Sequence, residues 1–496
     1  MTQQEALNIL KTGVSVFLTG AAGSGKTYLL NEYIQFLKEK GINAGITAST
    51  GIAATHIGGL TIHSWAGIGI NRKLSDVDIR MIAANRRIAK RFAHTEALII
   101  DEISMLDADR LDLVERVARA ARGSWQPFGG MQVVICGDFF QLPPVARENE
   151  PPPRFAYHSL AWKELNLKIC YLREQYRHND KKFFNILNAI RRDKVDDAVI
   201  SGLESRRDKV FANDNITKLY SHNIDVDAEN FRELGRLREK EFYYQMEESG
   251  VPAILKSLKS GCLAPEILTI KKEAKVMFIK NNFEKGYVNG TLGRVVDFDD
   301  GGYPIVVVLN GRKIIASPEK WSVEENGKIL AKISQVPLRL AWAITIHKSQ
   351  GMTLDAAEIN LEDAFKKGMG YVALSRVRSL SGIKLIGFNK MALEVHPEIL
   401  VHDRELQWLS DMAISEFNSA PKNLKKFGWR ENKEKTKTYS VNEIRKSHSS
   451  AYQKWSPEEE KELVADFKKG ESIKTIANNL GRKNGAVRSR LKKLGF

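Results

Sequence analysis

The sequence predicts an α/β protein of two lobes, with a small β-rich insertion and a separate three-helix end. Three observations predict it. Short apolar runs alternate with amphipathic stretches over the first 200 residues, and the alternation restarts near residue 200. Residues 285–335 break that rhythm with closely spaced glycines and Asn-Gly and Asp-Gly pairs, as short β-strands and tight turns do. Residues 456–496 hold three short helical stretches behind a polar segment.

The first lobe begins with an apolar run, Val14 to Leu18, that reads as a buried strand. Gly20-Ala21-Ala22-Gly23-Ser24-Gly25-Lys26-Thr27 follows, and then an amphipathic stretch to Lys40. Leu29, Leu30, Tyr33, Ile34 and Leu37 share one helical face, and Gly41 supplies the stop. Strand, Gly-rich loop and helix in this order form a phosphate-binding loop. Its backbone N–H groups curl around a triphosphate at a helix N-terminus. Lys26 then reaches the β- and γ-phosphates, and the Thr27 hydroxyl faces Mg²⁺. Gln3, with Gln4 as the fallback, precedes this strand; a carboxamide both donates and accepts, which suits the adenine edge.

Further elements supply the rest of the candidate site. Ile42 to Thr50 reads as a strand ending in Ala48-Ser49-Thr50-Gly51, followed by a segment containing His63 and Trp65. Small and hydroxyl-bearing residues after a strand suit a phosphate backbone, and Trp65 offers a stacking face to a base. Residues 71–92 are basic and helical in tendency, with Arg86, Arg87, Lys90 and Arg91 clustered. Ala97 to Ile100 is an apolar strand ending in Asp101-Glu102. This pair suits Mg²⁺ held through water by Asp101 and an attacking water polarised by Glu102. Met131 to Cys136 is another strand, and beyond it Gln141 sits where a γ-phosphate can be sensed. Arg177, before an amphipathic helix, is a candidate arginine finger.

In the second lobe, Ile216 to Tyr220 and Val276 to Ile279 read as strands. Thr345, His347, Lys348, Ser349, Gln350 and Gly351 lie at the end of one apolar element, and Arg376 at the end of another. Both groups mark the edge where a second lobe meets nucleotide and nucleic acid.

The formal net charge is +16 over 496 residues, and residues 421–496 hold 20 Lys/Arg against 9 Asp/Glu. A polyanionic partner for the tail follows. Three scattered cysteines, Cys136, Cys170 and Cys262, exclude a disulfide framework or a zinc site and suggest a reducing compartment. No apolar run approaches a membrane span, and Met1-Thr2-Gln3-Gln4-Glu5 lacks the start of a signal peptide. The expected location is cytoplasmic, of bacterial type and associated with the nucleoid. Residues 401–455 read as a partly disordered linker. Ser456-Pro457-Glu458-Glu459 then caps a helix to about Lys469, Ser472 to Leu480 forms a second, and Asn484 to Leu494 a third. Arg482, Lys483, Arg488 and Arg490 lie in or beside the last, which suits a helix-turn-helix or Myb-like DNA-binding module.

Taken with Ile99-Ile100-Asp101-Glu102, Gly137-Asp138-Phe139-Phe140-Gln141-Leu142-Pro143-Pro144, Thr345 to Gly351 and Tyr371 to Arg378, residues 1–390 resemble the petite-integration-frequency (PIF) family of superfamily-one DNA helicases, with the RecD group as close kin. The resemblance implies two RecA-like P-loop domains, 1–200 and 201–400, that close on ATP and Mg²⁺ with single-stranded DNA across them. It implies an SH3-like β-barrel at about 285–335 and a small wedge within 68–92. It also implies 5′-to-3′ unwinding. By motif, Arg177 and Arg376 are the two fingers. Thr50, Gly51, His63, Thr345, His347, Lys348 and Ser349 touch DNA, while Gln350 and Gly351 couple DNA to nucleotide. Where the family shows Phe-Arg-Gln, this chain has Tyr176-Arg177-His178, keeping the arginine. Expected partners are single-stranded DNA and duplex or fork junctions, acted on by a monomer in repair, recombination or replication. G-quadruplexes and RNA–DNA hybrids remain open as substrates. The reading of another class is a P-loop ATPase switch that binds DNA through its tail without processive unwinding.

Overall fold

A computed structural model describes the chain except residues 70, 145–150, 176–179, 208, 210, 212–215, 222–225, 283, 309–310, 326–327, 420–448, 451–452 and 454. It divides into two units, Met1–Trp429 and Arg430–Phe496. Arg177 falls outside the described residues.

In the first lobe, α1 (Gln3–Lys11) is capped reciprocally by Thr2 and Glu5. β1 (Val16–Gly20) leads into the phosphate loop and α2 (Lys26–Glu39). The face expected for α2 is the buried one: Leu29, Leu30, Tyr33, Ile34 and Leu37. β2 (Ala44–Ala48), α3 (Gly51–His56), β3 (Leu60–Thr61), α4 (Asp76–Ala84), α5 (Arg86–His94), β4 (Ala97–Asp101), α6 (Ala108–Arg122), β5 (Gln132–Cys136) and β6 (Lys168–Leu172) follow. The six strands form one sheet in the order β3-β2-β4-β5-β1-β6. Every pairing in it is parallel. Strand alternation splits the core: Val16 and Leu18 pack with α1 and α2, and Phe17 packs on the opposite face. The order sets β5 between β1 and β4, so Gly20, Cys136 and Asp101 line one crevice at the strands' C-terminal ends. α4 and α5 occupy the segment expected to hold a wedge. Arg86, Arg87 and Lys90 are exposed on it, while Arg91 turns inward.

α7 (Lys181–Arg191) leads toward the second lobe, whose sheet contains β7 (Thr217–Tyr220), β8 (Ala343–Thr345), β9 (Ala357–Leu361) and β10 (Ile383–Phe388). The order is β8-β7-β9-β10 and all pairings are parallel. α8 (Met369–Ser375) packs beside it with every residue buried.

The β-rich region is wider than the expected 285–335. Leu292–Phe298, Pro304–Val308 and Lys313–Ile315 join Lys275–Phe278 and Leu338–Leu340 in a five-stranded sheet whose pairings are antiparallel. Glu319–Glu325 and Lys328–Gln335 pair with Glu247–Gly250 in a three-stranded sheet. The strand read at Val276 to Ile279 therefore belongs to the antiparallel region, because an apolar run carries no sign of its pairing partner.

The expected linker is also corrected. α9 (Pro397–Ser419) is one helix of 23 residues, so residues 401–419 are ordered. Ile399, Leu406, Ser410 and Ala413 face inward. Ser410 Oγ accepts the Tyr171 amide at 3.1 Å, and Tyr171 Oη donates to Asp403 at 2.9 Å, which fastens α9 along β6. The polar composition of the stretch conceals a narrow buried stripe. The remainder of the expected linker lies largely outside the described residues.

The second unit holds α10 (Pro457–Lys468), α11 (Ile473–Asn479) and α12 (Asn484–Lys493), within a residue or two of expectation. Ser456 and Glu459 form the expected reciprocal cap. Leu463, Ile476, Ala477, Leu480, Val487 and Leu491 make its core. Gly481 turns between α11 and α12 at φ +60°, where a Cβ would come within 2.3 Å of Ser449 Oγ.

Candidate functional site

The phosphate loop is built by backbone geometry that side chains would forbid. Gly20 has φ +148°, and a Cβ there would lie 2.6 Å from the Leu172 carbonyl oxygen. Gly23 and Gly25 have φ +87° and +85°. Lys26 Nζ donates to the carbonyls of Gly20 at 2.9 Å and Ala21 at 3.1 Å, spanning the loop it would hold a phosphate in. Burial lowers its pKa, and the Asp138 charge opposes that shift. Ser24 Oγ is buried with no hydrogen-bond partner in the protein. Gln3 Nε2 reaches the Ser24 and Gly25 carbonyls at 3.5 and 3.4 Å, so α1 sets this amide at the loop. Gln4 instead faces solvent and pairs with Asn8. Thr27 is exposed on the first turn of α2.

Asp101 ends β4 and Glu102 follows in a left-handed conformation, φ 53°. A non-glycine residue held there is strained and marks a constrained site. Asp101 Oδ1 accepts the Glu102 amide at 2.8 Å. Burial raises the pKa of both carboxyls, and the Asp101 charge adds to the shift of Glu102, which is pushed up to about 7. Glu102 thus has the proton affinity of a general base working near neutrality.

The second lobe closes onto this pair. Gln350 Nε2 donates to Glu102 Oε2 at 3.1 Å and to Gln141 Oε1 at 3.4 Å. The Gln350 Oε1 is buried without a protein partner. Arg376 is only 2% exposed; its Nε donates to the Val372 carbonyl at 3.0 Å and its Nη2 to Ser375 Oγ at 2.9 Å. Burial lowers its pKa, with Glu102 the largest opposing charge. The crevice therefore gathers Lys26, Asp101, Glu102, Gln141, Gln350 and Arg376. The cations Lys26 and Arg376 and the unpartnered Ser24 hydroxyl suit a polyanion there. Thr27 and Asp101 are the oxygen donors a Mg²⁺ ion takes.

Gly351 sits beside His56 of α3, toward which its Cβ position points at 3.1 Å. Sequence reasoning did not single out Asn289 and His56, which meet at 3.0 Å between the lobes. It also passed over Tyr371, whose hydroxyl accepts the Ala22 amide at 2.9 Å. Its one signal was membership of the Tyr371 to Arg378 motif.

The candidate DNA contacts divide. Thr50 caps α3, and Gly51 opens that helix. His63, His347 and Lys348 are partly exposed at the lobes' upper edges. Trp65 is a correction: at 3% exposure it packs edge-on against Phe92 at 4.7 Å and beside Gly45, so it offers no stacking face. Arg91 covers it and donates to its carbonyl. Thr345 and Ser349 are corrections of the same kind. Both are buried; the Thr345 hydroxyl accepts the Lys348 amide and the Ser349 hydroxyl donates to the Ile346 carbonyl, shaping the turn from within.

Comparison with known proteins supplies the family. Residues 3–199 match the PIF1-like helicase family. The ATP-dependent DNA helicase Pif1 of Psychrobacter sp. is 44% identical over 460 residues, covering 80% of this chain and 69% of the relative. The chain belongs to the PIF1-like helicases. Its enzyme class is that of an ATP-dependent DNA helicase. The human ATP-dependent DNA helicase PIF1 is 40% identical over 403 residues, covering 80% of this chain but 62% of the relative, so the chain spans about three fifths of that protein. Unliganded Pif1 from Bacteroides sp. superposes with a TM-score of 0.69 at 33% identity, covering 82% of this chain and 96% of that one. A Bacteroides Pif1 solved with ADP-AlF3 and single-stranded DNA gives 0.56 at 32% identity, covering 83% and 97%. The PIF1-like match confirms the expected resemblance and the mixed α/β fold with RecA-like parallel sheets.

In the C-terminal unit, Arg482 is a further correction. It is 2% exposed, pairs with Glu459 at 2.8 Å and stacks over Trp455 at 4.2 Å, so it braces α10 against the turn rather than facing a ligand. Arg490 pairs with Glu460 of the same helix. Lys483 and Arg488 are exposed.

Proposed function

We propose that this PIF1-like helicase tracks 5′ to 3′ along single-stranded DNA and separates duplex, driven by ATP hydrolysis in the crevice between its lobes. The observation that carries this reading is Gln350. It belongs to the segment resembling the family's DNA-touching motif, yet its amide bonds both Glu102 and Gln141 at the nucleotide crevice. A strand moving against His347 and Lys348 is thereby linked to the water-polarising base. In this reading the loop from Gly20 to Gly25 and Lys26 hold the β- and γ-phosphates. Gln3 reads adenine. Glu102 takes the proton of the attacking water, and Gln141 senses the γ-phosphate. Arg376 and Arg177 stabilise charge at the transferring phosphoryl group. Thr27 and Asp101 hold Mg²⁺, which supplies charge neutralisation.

Pif1 from Bacteroides has been solved with single-stranded DNA, and two Pif1 helicases have been described at forked duplex. By kinship, single strands and forks are the substrates proposed here, for a monomer acting in repair, recombination or replication. The SH3-like identity of the antiparallel region, the wedge at α4 and α5, and location at a bacterial nucleoid are further parts of this proposal. Among the described residues no helix is long and apolar enough to cross a membrane. G-quadruplexes and RNA–DNA hybrids are the competitors to compare with forks. For the tail, Lys483 and Arg488 support a reading as a helix-turn-helix DNA-binding module, with α12 in a major groove.

Strand separation on partial duplexes tests the whole reading. With ATP and Mg²⁺, a substrate with a 5′ tail is unwound and one with a 3′ tail is not. ATP hydrolysis stimulated by DNA without any unwinding would instead favour the switch.

A further inference from the structure

A buried polar knot joins three parts of the molecule that the assigned residues leave unconnected. At its centre, the guanidinium of Arg191 ends α7. Nη1 donates to both Asp138 carboxylate oxygens at 2.8 Å and to Tyr371 Oη at 3.2 Å. Nη2 donates to Tyr171 Oη at 3.0 Å and Asp403 Oδ1 at 3.4 Å. The group lies 4.0 Å over the Phe140 ring. Asp138 begins the turn that presents Gln141: its carboxylate accepts the Phe140 amide, and its carbonyl accepts the Gln141 amide at 3.0 Å.

Tyr371 is the one member of the knot that comes from the second lobe's α8, the helix that ends at Arg376. Its hydroxyl is saturated. It accepts the Ala22 amide of the phosphate loop and an Arg191 N–H, and it donates to Asp138 Oδ2 at 3.4 Å. A phenol has one proton and two lone pairs, and all three are used. One oxygen therefore fixes the phosphate loop, the Gln141 turn and the Arg376 helix relative to one another. None of these bonds lies on the path through Gln350.

We propose that Tyr371 is a positioning residue for ATP hydrolysis. Its hydroxyl brings the loop and the Gln141 turn into register with Arg376, so the hydrolytic geometry assembles only when the second lobe is docked. The inference rests on the helicase reading above.

The test is Tyr371→Phe, which keeps the ring and removes only the hydroxyl, studied in the full chain. Steady-state ATPase is measured with and without single-stranded DNA, alongside ATP affinity and thermal unfolding. The DNA-stimulated kcat is expected to fall at least tenfold, with KM for ATP and DNA affinity within about threefold of the parent. Asp138→Asn, which weakens the same knot from the other side, is expected to show the same split. Combining the two should add little, because both remove one unit. A rise in KM with kcat preserved would overturn the proposal, since the hydroxyl would then serve binding alone. So would a lowered melting temperature with unchanged kinetics, or full additivity of the two variants. A parent enzyme without DNA-stimulated ATPase breaks the helicase reading and takes this inference with it; a stimulated parent matched by Tyr371→Phe breaks the inference alone.

Discussion

Arginines are buried in the nucleotide crevice and in the C-terminal module, but against different neighbours. In the module, Arg482 and Arg490 each meet a carboxylate of α10, Glu459 and Glu460. Their charge is cancelled within the unit. In the crevice, Arg376 is as deeply buried as Arg482, yet it donates to a carbonyl and a hydroxyl, and no carboxylate among the described residues forms an ion pair with it. Burial is costly for a charge unless a counter-charge meets it. An arginine already paired is a brace. One buried with no carboxylate bonded to it keeps donors to offer an anion that comes from outside. Basic residues in a sequence thus divide by what they face, and their number in a stretch does not tell which kind they are.

That contrast can be broken at several points. The largest effect is expected at Glu102, the acidic group opposite Arg376. Glu102→Gln should lower the ATPase kcat by about 10³-fold while ATP binding persists. Loss of nucleotide binding would remove its assignment as the base. In the parent enzyme, the carboxyl must shed its proton to act. The rate should therefore rise as pH passes about 7 and level off above it. A profile flat between pH 6 and 8 would place the base elsewhere.

Next in size is Gln350→Ala, which should cut stimulation of the ATPase by DNA about tenfold, a coupling near 1.4 kcal/mol. Unaltered stimulation would mean that the bond to Glu102 carries no signal.

Within the module, Arg482→Ala should destabilise the unit by about 3 kcal/mol by stranding Glu459 beside its cap. Chemical denaturation followed through Trp455 would read it, and a neutral result would make Arg482 a surface group after all. Arg488→Ala is the contrasting case. It should leave stability within about 0.5 kcal/mol and lower the salt slope of DNA binding by about 1. Deleting residues 440–496 removes Arg488 with the rest of the module and should lower DNA affinity further than Arg488→Ala does. DNA affinity should drop more at low salt than at high salt. Equal affinity at every salt concentration would leave the module a protein-docking unit.

Much of the first lobe was legible because its signals are local. A phosphate loop is eight consecutive residues flanked by a strand and a helix, and the buried face of α2 is written in five apolar positions. Asp101 and Glu102 could be read from the apolar run before them. The three helices of the module were legible through the cap at Ser456 and the glycines at 470 and 481. Partners distant along the chain were not legible. Tyr371 meets Ala22 across 349 positions, and nothing near either residue announces it. Trp65 looked like a platform because an aromatic ring after a polar turn can face either way; Phe92 and Gly45, which decide its direction, arrive from other elements. The strand at 276 failed for the same reason, as its pairing is set by residues after 290. α9 failed differently. Its buried residues are few, spaced by one or two turns, and one of them is a serine, so average polarity hid them.

The return of α9 to β6 has a mechanical consequence. The chain leaves the first lobe near α7, builds the second lobe, and comes back to be fastened along the same edge strand by Ser410 and Asp403. Both crossings between the lobes therefore emerge beside β6, like two straps sewn to one side of a flap. A flap held that way swings about the seam and cannot lift free of it. A swing about that seam would open most at the edge farthest from β6, on the side of β2 and β3 where α3 and its Thr50 cap stand. Near the seam, where Tyr371 touches Ala22, the same swing would move atoms by far less. Attachment on one side would thus turn a small adjustment at the phosphate loop into a longer displacement at α3.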